Sequence, residues 1–271
     1  MLIMNSIEKL LSAGDNPLDR MFTPLKLAGI FRTIACVGDS LSSGEFEVRG
    51  KNPGDKSTYL DMFEYSWGQF MARNLGSKVY NFSRGGMTAR WYLESFADEM
   101  GYWDTEKAAQ AYIIALGVND LYGSDQDQIL GSFEDVHIGE PDKNADNFAG
   151  NYARIIERYK KISPKAHFFL LTMPVENREE ESKKIGHSEL LYKFAESYSH
   201  THVIDLNKFA PKYDLEFKRK FYLNGHMNPA GYAFTARMLE AYIEYIILSD
   251  PDDFYQVGLI GNEHYDERLE K

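Results

Sequence analysis

The chain has a single cysteine in 271 residues, Cys36, which excludes an intrachain disulfide framework. That cysteine lies in the apolar run Ile34-Ala35-Cys36-Val37 and reads as a buried structural thiol. Long hydrophobic runs are also missing: no stretch approaches the roughly 20 consecutive apolar residues that a membrane-spanning helix needs. The opening MLIMNSIEKLLSAGD has no cationic start, and Glu8 and Lys9 interrupt its apolar stretch. It therefore does not read as a secretory signal, and a cytoplasmic location is expected. Basic charge is scarce as well. The 30 Lys and Arg against 41 Asp and Glu leave a formal net charge of -11. With no basic stripe, this field opposes phosphate backbones and anionic lipid surfaces, so neither nucleic acid nor membrane is expected as a partner. Neither an internal repeat nor a low-complexity tract is present.

What remains is the composition of a globular protein, with 44% hydrophobic and 26% charged residues. Five short apolar runs read as strands: Thr33–Val37, Lys78–Phe82, Ala111–Leu116, His167–Met173 and His202–Leu206. Between them apolar residues recur every three or four positions, as expected of amphipathic helices. One such set is Leu60, Phe63, Trp67, Phe70, Met71 and Leu75. Others are Phe148, Tyr152, Ile155, Ile156 and Tyr159, and Leu190, Leu191, Phe194 and Tyr198. The last helix has an Asn228-Pro229 start, an apolar face of Leu239, Tyr242, Ile243, Ile246 and Ile247, and Pro251 beyond its end. Alternating strands and helices predict an α/β fold, a three-layer α/β/α sandwich around a central five-stranded parallel sheet. The chain reads as one domain over 1–271, with a polar, loosely packed tail from Asp252. Two stretches break the alternation, Ser42–Thr58 and Leu121–Ala145. Both are long for loops, so they are expected to be ordered cover over a site or mobile surface.

In open parallel sheets, ligands bind outside the carboxyl ends of the strands. Four short motifs fall there. Gly38-Asp39-Ser40-Leu41-Ser42 follows the first strand, and Asn81-Phe82-Ser83-Arg84-Gly85-Gly86-Met87-Thr88 closes the second. Gly117-Val118-Asn119-Asp120 follows the third, and Asn224-Gly225-His226-Met227-Asn228 precedes the last helix. Each alone is most simply a turn, a cap or a surface histidine. Together they supply the parts of acyl transfer. A serine hydroxyl needs a base, and histidine titrates in the right range. The oxyanion formed on attack needs donors already aimed at it. The backbone N–H groups of Ser40 and Gly86 and the side-chain amide of Asn119 are candidates.

These blocks, GDSLS, NFSRGGMT, GVND and HMNPAGY, resemble those of the SGNH (GDSL-type) hydrolases, in the family's order, within a strand–helix layout that matches over about Thr33–Leu248. The resemblance implies a flavodoxin-like fold and a carboxylic-ester hydrolase working without metal or organic cofactor. It assigns Ser40 as nucleophile, His226 as general base, and Gly86 and Asn119 as oxyanion-hole residues. The partner it implies is a small-molecule ester; acetylated sugars, lipids, thioesters and aryl esters all fit, with short acyl esters on carbohydrate preferred.

One position departs from the family pattern. The acid that usually stands three residues before the histidine is here Leu223. Asp205 and Asp214, the nearest aspartates upstream, lack the family's spacing. A Ser40–His226 dyad is therefore expected, with the imidazole oriented by a backbone carbonyl. The same departure admits a second reading, a non-catalytic carbohydrate or small-ligand binder on this scaffold.

Other motifs lead less far. The α/β-hydrolase elbow requires Gly where Ser42 stands, and GDSLSSG lacks the lysine of a phosphate loop. Asp125 and Asp127 are spaced as in a calcium loop, but the glycine and closing glutamate are out of place. His200 and His202 alternate on a strand without evident further ligands, so no metal is expected. Trp91, Tyr92 and Trp103 fit either a sugar cleft or the core.

Overall fold

The computed structural model describes residues 12–52, 54–123, 129–176 and 182–270. Among them seven strands form: β1 (Thr33–Gly38), β2 (Glu45–Val48), β3 (Thr58–Asp61), β4 (Lys78–Ser83), β5 (Ala111–Ala115), β6 (His167–Leu171) and β7 (Thr201–Ile204). Five of them make a parallel sheet in the order β4-β1-β5-β6-β7. Counting only those five, the order is 2-1-3-4-5, the doubly wound arrangement of flavodoxin-like folds.

The strands are continuous apolar runs because both faces of the sheet are covered. Alternate residues serve opposite clusters. Ala35, Val37, Tyr112, Ile114, Phe168 and Leu170 face one, while Ile34, Cys36, Ile113 and Phe169 face the other. Helices α1 (Ser40–Ser43), α2 (Trp67–Leu75), α3 (Val118–Tyr122), α4 (Phe148–Ile162), α5 (Ser182–Ser197), α6 (Leu215–Phe221), α7 (Pro229–Ser249) and α8 (Pro251–Phe254) fill the connections. On the first face lie α4 and α5, and on the second α2 and α7. The apolar stripe of α4 is fully used: Phe148, Tyr152, Ile155, Ile156 and Tyr159 are all buried. Each such side chain contributes roughly 1.5–3 kcal/mol relative to exposure. The start of α7 is capped as expected, the Asn228 side chain accepting from the Gly231 N–H at 2.9 Å.

Three expectations need correction. The helical spacing read from Leu60 begins too early, since Leu60 lies on β3 and Phe63 in a 3-10 turn. The cap decides the boundary: Ser66 accepts from the Gln69 N–H at 3.2 Å, so α2 starts at Trp67. The segment from Asp252 is not loose. Its polar composition hides two anchors, Phe254 and Val257, both buried against the second cluster. The stretch Ser42–Thr58 is not all loop either, because it holds β2, which pairs antiparallel with β3 in the register Glu45↔Asp61 and Glu47↔Tyr59.

The stretch Leu121–Ala145 includes Asp125 and Asp127, which lie outside the described residues. Its described part is ordered, with Leu130, Phe133 and Val136 packed on the first cluster. Arg154 of α4 holds its end, donating to the carbonyls of Pro141 (3.0 Å), Ala145 (3.2 Å) and Asn144 (2.5 Å). A hydrogen bond to a charged group contributes about 1.5–3 kcal/mol. Arg154→Ala should therefore release this segment while sparing the sheet. Hydrogen exchange at the Ala145 N–H, which donates to the Asp135 carbonyl at 3.0 Å, is expected to accelerate at least about tenfold. Unchanged exchange there would show that the apolar anchors alone suffice.

Candidate active site

The strand order reverses between β1 and β5, so their connections leave in opposite directions and open a crevice at their carboxyl ends. Ser40 follows β1 and Asn119 follows β5, one on each side of that crevice. Asp39 caps α1, its carboxylate accepting from the Leu41 N–H at 3.0 Å, which sets Ser40 as the first helical residue. Gly38 admits no side chain there, because a Cβ would stand 2.3 Å from Ser42 Oγ.

His226 arrives from the far end of the chain, just before the cap of α7. Its Nε2 lies 2.9 Å from Ser40 Oγ. Its Nδ1 lies 3.2 Å from Glu47 Oε2. The expected backbone partner for the imidazole is thus replaced by a carboxylate on β2. Leu223 shapes the turn instead, its N–H donating to the carbonyl of His226 at 3.0 Å. Neither Asp205 nor Asp214 serves His226. Asp205 accepts from Thr172 and Tyr192, and Asp214 caps α6.

Glu47 is held from several sides. It accepts from Ser57 Oγ at 2.8 Å, from the Gly225 N–H at 2.7 Å and from the Asn224 side chain. Burial raises its pKa, but these bonds and the one from His226 outweigh that, so it sits below the ordinary glutamate value. Glu45, two residues earlier, presents to the same side of the strand. Its Oε1 is 3.2 Å from His226 Nε2. Burial raises its pKa, aided by Asp61 and Glu47 and opposed by His226.

Ser40, His226, Gly86 and Asn119, the four residues singled out from sequence, line one cleft of about 440 Å³. Gly86 has φ +72 and open space where a Cβ would go, so its backbone conformation is what calls for glycine. At Gly85 the reason is proximity, since a Cβ would meet Glu45 Oε2 at 2.3 Å. Asn119 Nδ2 donates to the Met87 carbonyl at 3.1 Å, which leaves its second N–H for the cleft. Gly117, ahead of α3, has φ +133, and a Cβ there would lie 2.7 Å from Nε2 of the fully buried His187.

Sequence reasoning missed Glu47 and, on the cleft wall, Glu45, Tyr59, Asp61 and Arg84. The signal was present in Glu45-Phe46-Glu47-Val48, whose alternation on a strand puts both carboxylates on one side. Tyr59 packs edge-on against the His226 ring at 5.7 Å. The aromatic residues considered instead lie elsewhere. Tyr92 and Trp103 belong to the first cluster, and the exposed Trp91 is not part of the cleft.

The family model of the GDSL-like lipases and acylhydrolases matches residues 36–234. A search of curated proteins found no match. Among solved structures, a family two carbohydrate esterase from Clostridium thermocellum in complex with cellohexaose superposes with a TM-score of 0.57 at 18% identity, over 80% of this chain and 64% of that one. A carbohydrate esterase family 2 enzyme with a carbohydrate-binding domain from Corynascus thermopiles gives 0.54 at 18%, over 80% and 67%. A protein from Lactobacillus plantarum gives 0.56 at 16%, over 79% and 97%. At such identities the likeness shows the fold. The chain spans less than two thirds of the length of the Clostridium esterase.

Two buried carboxyls, Asp39 and Asp120, are the chain neighbours of Ser40 and Asn119. Each has one oxygen bonded to a backbone N–H, of Leu41 and Ala89 respectively, and one oxygen without a partner. Burial pushes both up to about 7 from 3.8, and for Asp39 the charge of Asp120 adds to it. An acid whose pKa is raised on folding contributes stability that is fully present below its unfolded value and lost as pH rises through the folded one. Here that window runs from about 4 to about 7. Asp120→Asn removes one of the two groups and should gain stability relative to the parent across that window, by up to about 1.4 kcal/mol per pH unit. Denaturant unfolding of both proteins at several pH values checks this. A difference that stays constant with pH would mean that Asp120 ionises as freely in the folded state as in the unfolded.

Proposed function

Because the chain belongs to the GDSL-like lipase/acylhydrolase family, whose members hydrolyse ester bonds, we propose that it is a serine esterase that works through an acyl-enzyme on Ser40 and takes short acyl esters of a carbohydrate or similar polyol. The carrying observation is the hydrogen-bonded series Ser40–His226–Glu47, at 2.9 and 3.2 Å. Glu47 accepts a hydrogen bond from the Nδ1–H, which leaves the Nε2 lone pair facing Ser40 Oγ. As Oγ attacks the ester carbonyl, its proton passes to Nε2. The imidazolium then lies between two carboxylates, Glu47 at Nδ1 and Glu45 at Nε2. The oxyanion is met by the N–H groups of Ser40 and Gly86 and by Asn119 Nδ2. Collapse returns the proton to the leaving alcohol. Water, activated by the same nitrogen, then releases the acid.

The substrate reading rests on the walls. The cleft is lined by Ser40, Glu45, Tyr59, Asp61, Arg84, Gly85, Gly86, Asn119 and His226, with no aliphatic side chain among them. A long acyl chain gains about 0.8 kcal/mol per methylene only where it is buried, and none of these lining residues offers it an aliphatic side chain. Carboxylates and a guanidinium suit hydroxyl groups, and the half-exposed ring of Tyr59 gives a flat surface for a sugar face. The carbohydrate esterases that share the fold support this choice. The contact of Glu47 with His226 Nδ1 favours this reading over a non-catalytic binder, which rested on the missing acid at Leu223.

Ser40→Ala should remove nearly all esterase activity and all labelling by a fluorophosphonate, with folding intact. Asn119→Ala should lower kcat by about 10² to 10³ with little change in KM. Glu47→Gln keeps the size but cannot accept from Nδ1 without turning an N–H away, so a kcat loss on the order of 10³ to 10⁴ is expected. Asp205→Asn and Asp214→Asn should stay within about tenfold of the parent, a barrier change of roughly 1.4 kcal/mol. Turnover on a series of esters of increasing acyl length tests the substrate. Rates that rise with chain length would overturn the short-acyl reading, and near-parental turnover in Glu47→Gln would remove Glu47 from the mechanism.

A further inference from the structure

At the amino-terminal edge of the sheet, opposite Ser40, three side chains converge that the ester chemistry does not use. His167 opens β6, His202 lies on the edge strand β7, and Asp253 comes from α8. His167 Nδ1 is 3.2 Å from His202 Nε2 and 3.7 Å from Asp253 Oδ2, and His202 Nε2 is 3.3 Å from the same oxygen. His167 is fully buried and the other two are largely so.

Hydrogen bonding meets this triangle only through one proton shared between two acceptors. If His202 Nε2 carries a proton, that one proton must serve both Asp253 and His167. If His167 Nδ1 carries it, the contact between His202 Nε2 and Asp253 sets two acceptors against each other. If both nitrogens carry one, two N–H groups face each other. A cation at the centre is met by three lone pairs at once. The spacing fits one: ligands about 2.0–2.1 Å from a tetrahedral zinc ion stand about 3.3 Å apart. Two imidazoles and one carboxylate are a zinc-type donor set.

We propose that His167, His202 and Asp253 form a structural binding site for zinc or a similar first-row divalent cation, which joins β6, the edge strand β7 and α8. The surroundings orient the donors. Phe254 stacks on His167 at 4.4 Å and on His202 at 5.1 Å between ring centroids. His200 Nδ1 donates to Asp253 Oδ1 at 2.7 Å, which aims Oδ2 at the two histidines.

The test uses the full chain, stripped with a chelator and then titrated with zinc or cobalt. One equivalent should bind, cobalt should give the intense visible absorption of a tetrahedral centre, and saturating zinc should raise Tm by about 5 °C or more. His202→Gln and Asp253→Asn should each weaken zinc binding at least about 100-fold. His200→Ala, which acts through Asp253, should weaken it about 10- to 100-fold. His226→Ala controls for binding among the carboxylates near Ser40 and should leave the site intact. Ester hydrolysis by the stripped protein should match that of the loaded one, so the outcome is separate from the esterase reading. No saturable binding, a weak octahedral cobalt spectrum, or parental affinity in both ligand variants would overturn the proposal. If the ligand variants fail to fold, the stoichiometry and cobalt spectrum of the parent protein still decide it.

Discussion

The Glu47 carboxylate accepts from Ser57, Asn224, Gly225 and His226 together. Burying a carboxylate costs several kcal/mol unless its lone pairs are used, and here they are. The last three of those bonds tie the β2–β3 hairpin, near the start of the chain, to the turn before α7, near its end, while the bond from Ser57 closes the hairpin on itself. The sheet delivers Ser40 and Asn119 to one edge, but it does not bring His226 there. Glu47 does so, and in the same contact it supplies the partner that Nδ1 needs. The hairpin is thus part of the frame that holds His226 against Ser40.

The sequence made the layered architecture readable because its strands are buried on both faces, so apolar runs such as Ile34–Val37 stand out without context. It made Ser40, Gly86, Asn119 and His226 readable because each sits next to a strand end or a helix cap. Glu47 was not readable in this way. Its role depends on pairing across β2 and β3 and on a turn nearly two hundred residues away, and the local alternation Glu45-Phe46-Glu47-Val48 marks a strand without naming either partner. The stretch around it looked like a loop because Gly44, Gly50 and Gly54 outweigh a four-residue strand. The same limit applies to Asp253, where a polar tail concealed Phe254 and the contacts that Phe254 positions.

Charge at the cleft gives the proposed reaction a direction. Glu45, Glu47 and Asp61 stand around Ser40 in a chain whose net charge is -11. A neutral ester enters this field at little Coulombic cost. The acid formed by hydrolysis ionises, and its carboxylate is repelled by the groups that shaped the cleft. Arg84 alone among the lining residues offers it a counter-charge.

Gly117 and His187 constrain one another across a gap that a methyl group would close. The position two residues before Asn119 therefore has little freedom to drift while the imidazole lies beneath it. A smaller residue at 187 would open the space, though the backbone at 117 would still favour glycine through its φ of +133. Any lineage that changes this glycine passes first through the helix on the far side of the sheet layer. The order of acceptable substitutions near Asn119 is written into α5, none of whose residues lines the cleft.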